Sequence, residues 1–107
     1  MEKWMPISKI EIYNEILISE KEMDQEIYKF WKLISIIPEK WQEEKYGNEG
    51  GGFWSVAIFG NRVIWYNDIE DGFNISEYKL YGQIDKYLCN QDNLNETLEQ
   101  LFNSNCI

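Results

Sequence analysis

The stretch "FWSVAIFGNRVIWYN", Phe53 to Asn67, decides how the chain is read. Gly60-Asn61 offers a two-residue turn with Gly in its first central position, as a type II′ hairpin prefers. Counting outward pairs Phe59 with Arg62, Ile58 with Val63 and Val56 with Trp65. One face then carries Trp54, Val56, Ile58, Val63 and Trp65, and the other carries Phe53, Ser55, Ala57, Ile64 and Tyr66. Both faces are largely apolar, so the hairpin is expected at the centre of an antiparallel sheet, covered by a helix on one side and by something partly wet on the other.

Working toward the N-terminus, the glycines Gly50 to Gly52 open the first arm. They lack a following Lys-Ser/Thr and the dinucleotide spacing, so they read as a flexible approach to a strand. Before them, "IIPEKWQEEKYGNEGGG" reads as a connector, with Gln42 to Glu49 an exposed loop. Pro38 forces Ile37 out of helical geometry, so a preceding helix must end near Ser35. That helix is expected over Glu20 to Ile34: Met23, Ile27, Phe30, Trp31 and Ile34 share one helical face, and Ser19 with Glu22 forms a capping-box pattern. Further back, "ISKIEIYNEILIS" alternates at Ile10 and Ile12 and at Ile16 and Ile18, which predicts an extended segment.

Toward the C-terminus the alternation breaks after Tyr66. A second hairpin turning about Asp71-Gly72 would place Phe73 and Ile75 on the face of Asp68 and Glu70. The expectation is therefore an irregular acidic loop, a short strand near Phe73 to Tyr78, and another near Gln83 to Leu88. Asp92 or Asn93 caps a last helix whose apolar face is Leu94, Leu98, Leu101 and Phe102. The sum is a single α+β domain over residues 1–107: an antiparallel sheet with a central hairpin, packed by two helices.

Composition narrows the function. Ten basic residues against 19 acidic ones give a net charge of −9, which opposes binding to nucleic acid or an anionic membrane and favours a basic partner. The chain has no histidine. Histidine-dependent triads, imidazole metal ligands and histidine pH switches are thereby excluded. Cys89 and Cys106 lack metal-ligand spacing and read as reduced thiols, and no apolar run resembles a signal peptide or membrane span. A cytoplasmic protein without cofactor or metal is the expectation.

The candidate site is the acid run. Asp68, Glu70, Asp71 and Glu77 lie in a stretch, Tyr66 to Glu77, without a basic residue. A calcium loop is disfavoured: starting at Asn67 puts Gly72 at the sixth position but Ile69 at the third ligand position. Paired carboxylates could serve acid/base chemistry, yet no nucleophile motif accompanies them, so no catalytic residue is assigned. A solvated turn is the plain reading. The sharper one is a binding surface, with Tyr66 and Tyr78 supplying aromatic area beside the charge while Trp65 belongs to the core.

The stretch from Gly50 to Ile84, and above all "WYNDIEDGFN" at Trp65 to Asn74, resembles small bacterial immunity proteins of polymorphic-toxin and contact-dependent growth-inhibition systems. The resemblance covers about a third of the chain. It implies a cytoplasmic, non-enzymatic inhibitor that binds the toxic domain of a cognate effector, often a nuclease, and blocks its active site or substrate groove. Assigning Asp68, Glu70, Asp71, Glu77, Tyr66 and Tyr78 to that contact rests on their chemistry. The alternative is a regulatory or scaffold protein-binding module.

Overall fold

A computed structural model describes residues 5–47 and 51–104. The order is α1 (Lys9–Glu22), α2 (Gln25–Ile34), β1 (Ser35–Trp41), β2 (Phe53–Phe59), β3 (Arg62–Asn67), β4 (Gly72–Glu77) and α3 (Leu94–Ser104). The four strands form one antiparallel sheet in the order β1-β2-β3-β4, so each strand pairs with its neighbour in sequence. The fold is α+β, with three helices among the described residues instead of two.

The third helix is α1, where an extended segment was expected. Ser8 accepts the Glu11 N–H at 3.2 Å while the Glu11 carboxylate accepts the Ser8 N–H at 3.0 Å, a complete capping box. The residues α1 buries, Ile12, Ile16 and Ser19, sit at i, i+4 and i+7. The alternation misleads because Ile10 and Ile18 are exposed. Apolar residues on the solvent flanks imitate a strand.

The helix expected from Glu20 to Ile34 is in fact two. The chain leaves helical geometry at Met23 and Asp24, and the Asp24 carboxylate accepts the Ile27 N–H at 2.8 Å to start α2. Ser19 and Glu22 therefore end α1 and cap nothing. The α2 stop at Ile34 matches the reading from Pro38. From Ser35 onward, though, the chain is a strand rather than a connector: β1 runs along the sheet edge, where Pro38 falls in the irregular stretch between Ser35 and Glu39 and its missing N–H is tolerated.

The β2–β3 hairpin turns at Gly60, whose φ is +63°, and pairs Phe59 with Arg62 and Ile58 with Val63 as the turn demands. Beyond that a bulge intervenes. Trp65 faces Ser55 rather than Val56, and Ala57 faces Ile64, so Val56 and Ala57 together oppose one residue. The bulge reassigns the faces. Val56, Ala57, Ile64 and Tyr66 join Ile12, Ile16, Ile27, Trp31, Leu94 and Leu98 under the helices, with Trp54 and Phe59 packed against them. Phe53, Val63 and Trp65 face the other way, against Trp41 and Ile84.

That second layer is made by the chain between β4 and α3. No strand forms near Gln83 to Leu88; an isolated bridge joins Gln83 to Gln42, and the segment lays Ile84, Tyr87 and Leu88 over the sheet. Its polar anchors lie within reach: the Trp65 indole donates to Ser76 Oγ at 2.9 Å, and that hydroxyl donates to the Lys86 carbonyl at 2.9 Å. A buried indole N–H thus keeps its hydrogen bond. The last helix begins as expected, Asn93 and Glu96 exchanging side-chain and backbone bonds at its start.

At the β1–β2 connection, Gly52 has φ +105° and a Cβ there would run into the Trp41 carbonyl, so the backbone passes where a side chain has no room. Gly50 and Cys106 lie outside the described residues. Cys89 is exposed and free.

Candidate functional site

The acid run closes the β3–β4 hairpin as a four-residue turn, Asp68 to Asp71, between the paired residues Asn67 and Gly72. Asn67 organises it. Its side-chain oxygen accepts the N–H groups of Ile69 at 3.0 Å and Glu70 at 3.2 Å, while its amide donates to the Leu88 carbonyl at 2.9 Å. Asp71 adopts φ +57°, a left-handed conformation that Asp tolerates better than most residues. From outside, the Gln91 amide donates to the Glu70 carbonyl at 3.1 Å. The loop expected to be irregular is a braced turn.

Its carboxylates divide by task. Asp68 is 9% exposed, and its Oδ2 accepts the Ile7 N–H at 2.8 Å. The Trp54 indole donates to the Ile7 carbonyl at 2.9 Å, so both backbone groups of Ile7 are clasped just before the α1 cap. Asp71 lies close enough to Tyr66 for its charge to act on the hydroxyl. Glu70 is partly exposed and Asp71 exposed.

Tyr66 is 8% exposed and packs its ring on Phe73 at 4.8 Å between centroids. Its hydroxyl is pushed up to about 12: burial contributes most, followed by the charges of Asp71, Glu15 and Asp68. Three carboxylates, those of Glu15 on α1 and Asp68 and Asp71 on the turn, therefore act on Tyr66 at one corner of the sheet, whereas Glu70 on the same turn acts on Tyr87, which packs on the opposite face. Lys40 lies close enough to Asp68 to feel its charge. Burial is the larger influence on its ammonium and lowers its pKa, while Nζ stands 4.9 Å over the Trp54 ring and donates to the Gly52 carbonyl at 3.2 Å.

The other two candidates are elsewhere. Glu77 pairs with Arg62 at the opposite end of the β3–β4 ladder, five residues from Gly72 and so about 17 Å away. Tyr78 comes next in the chain, on the other face of the sheet from Tyr66. Its ring meets Trp41 edge-on at 5.0 Å and its hydroxyl donates to the Gly60 carbonyl at 2.9 Å. The structure thus brings together Asp68, Glu70, Asp71 and Tyr66, and leaves Glu77 and Tyr78 apart.

Sequence reasoning missed Glu15 and Lys40. Taking Ser8 and Glu11 as a capping box would have placed Glu15 one turn beyond Glu11 on the same helix flank. It also read Gln42 to Glu49 as exposed, whereas Glu43 is 4% exposed, its carboxylate accepting the N–H groups of Lys45, Tyr46 and Gly47 at 2.7 to 3.1 Å. Asn48 and Glu49 lie outside the described residues.

Among the described residues no three of His, Cys, Asp and Glu are grouped to hold a metal ion, and no helix is long and apolar enough to cross a membrane. Comparison with known proteins found no matching family model, no similar curated protein and no similar solved structure.

Proposed function

We propose that the chain is an immunity protein: a non-enzymatic inhibitor that binds a cognate toxin domain, a nuclease, and occludes its active site or substrate groove. The supporting observation is the braced acidic turn, where Glu70 and Asp71 are held by Asn67 and Gln91, and where Asp71 and Asp68 share their corner with Glu15 around Tyr66. A carboxylate surface ordered before binding loses little entropy on docking. It can take the positions that phosphates would occupy in a basic groove, and the net charge of −9 would speed encounter with such a partner.

The test is co-expression with the product of an adjacent toxin gene, followed by copurification and a binding titration. Glu15→Lys and Glu70→Lys together leave the Asp68 clasp on Ile7 and the Asn67 bonds to the turn in place. They should weaken the complex about a hundredfold, mostly through slower association that steepens at low salt. An unchanged affinity would remove the corner from the interface, and failure of any complex to form would remove the immunity reading itself.

A further inference from the structure

A second surface lies away from the acidic corner. Between α1 and the first half of β1 runs a groove of about 390 Å³, walled by Tyr13 and Leu17 on one side and by Ile36, Ile37 and Pro38 on the other. Trp31 and Ile16 close its floor. β1 is an edge strand, and its first half lies at the level of Ala57, toward the far end of the sheet from the β3–β4 turn. Its apolar wall stands open to solvent, Ile37 being 74% exposed, and beyond the groove Ile10 is 74% exposed as well, on a helix flank shared with Tyr13 and Leu17 at i, i+3 and i+7. Such a contiguous apolar patch on a highly charged chain calls for a partner.

The groove contains one charged lining group, Glu20. Its Oε2 accepts the Trp31 indole N–H at 2.8 Å, which fixes the carboxylate at the junction of wall and floor. An apolar trough with a fixed anion suits a segment offering apolar anchors beside a cation. A second copy of this chain suits it poorly, because two molecules each carrying −9 repel. A drug-sized ligand suits it poorly as well, since the volume is at the low end for such sites and convergent polar groups are few.

We propose that this groove docks an amphipathic segment of a basic protein, with apolar side chains between Leu17 and Ile37 and a Lys or Arg reaching Glu20. The surface stands independently of the immunity reading: it accepts a basic amphipathic segment whichever protein carries it.

The probe is a synthetic Leu–Lys amphipathic peptide of about four helical turns, compared with its Leu–Glu counterpart. Titration is followed by the NMR signal of the Trp31 indole N–H. The Leu–Lys peptide should bind saturably and shift that signal, and the Leu–Glu peptide should not. Leu17→Asp and Ile37→Asp should each weaken binding about tenfold, as loss of a central anchor does, and Glu20→Gln about fivefold. Glu70→Lys, at the other end of the sheet, should leave this shift in place, which separates the groove from the acidic corner. Binding without a Trp31 shift, or binding indifferent to Leu17 and Ile37, would mean attraction to net charge alone and overturn the proposal. So would no binding, or a concentration-dependent dimer abolished by Ile37→Asp.

Discussion

Tyr66 shows how burial and charge act together on one side chain. Its hydroxyl, ordinarily titrating near 10.0, is held neutral to about 12 because ionisation would place a phenolate in a buried position beside Asp71, Glu15 and Asp68. The folded chain therefore keeps its proton where the unfolded chain releases it. The resulting stability is fully present below about 10 and is lost as pH rises toward about 12. Absorbance titration of the phenols should show a group ionising in that upper range that disappears in Tyr66→Phe, and the variant should lose less stability on alkalinisation. Some slope will remain, because Tyr81, bonded to Glu39, and Tyr87, partly buried, are shifted upward as well. An ordinary phenol titration for Tyr66 would contradict this environment. In the sequence Tyr66 reads as an aromatic edge to an interface; only the packing of Phe73 against its ring reveals it as part of the core.

Among the elements, α1 depends most on a distant residue. Its cap is local, yet the segment that leads into it is fixed by Asp68 and Trp54 through the two backbone groups of Ile7, 61 and 47 residues away in the chain. Asp68→Ala should cost about 1–3 kcal/mol in denaturant unfolding and raise hydrogen exchange across the first turn of α1. Asp68→Asn, which keeps an acceptor oxygen, should lose less. Equal losses in the two variants, with α1 exchange unchanged, would show that the clasp does not hold the helix. The elements differ in how readable they are. The Gly60-Asn61 turn and the Asn93 cap carry their own chemistry, and both were legible. β1 was not, because a strand at a sheet edge containing a proline and two charged residues has no local pattern; pairing with β2 creates it. The split between α1 and α2 was also hidden, since Met23 sits in the right phase for one continuous helix and packs against the core even though it ends one.

The molecule as a whole carries apolar layers on both faces of one sheet, with the helices on one and the 78–88 segment on the other. Its charge works against that compactness. With a net −9, self-repulsion should lower stability at low ionic strength, and screening should relieve it as the Debye length falls from about 30 Å at 0.01 M to about 8 Å at 0.15 M. Thermal unfolding should therefore shift upward by a few degrees with added sodium chloride at neutral pH, whereas a downward shift would show that favourable ion pairs outweigh the repulsion. The amino-acid order alone determined the α+β class, the central hairpin with its turn, the last helix, and an acidic, histidine-free chemistry, because each rests on composition or on contacts a few residues apart. Tertiary structure decided the rest. It placed the bulge at Val56 that exchanges faces, made β1 a strand, brought Glu15 toward Tyr66, and sent Glu77 and Tyr78 to the far end. Those outcomes depend on pairings across tens of residues, where the free energy comes from surfaces that exist only once the sheet has formed.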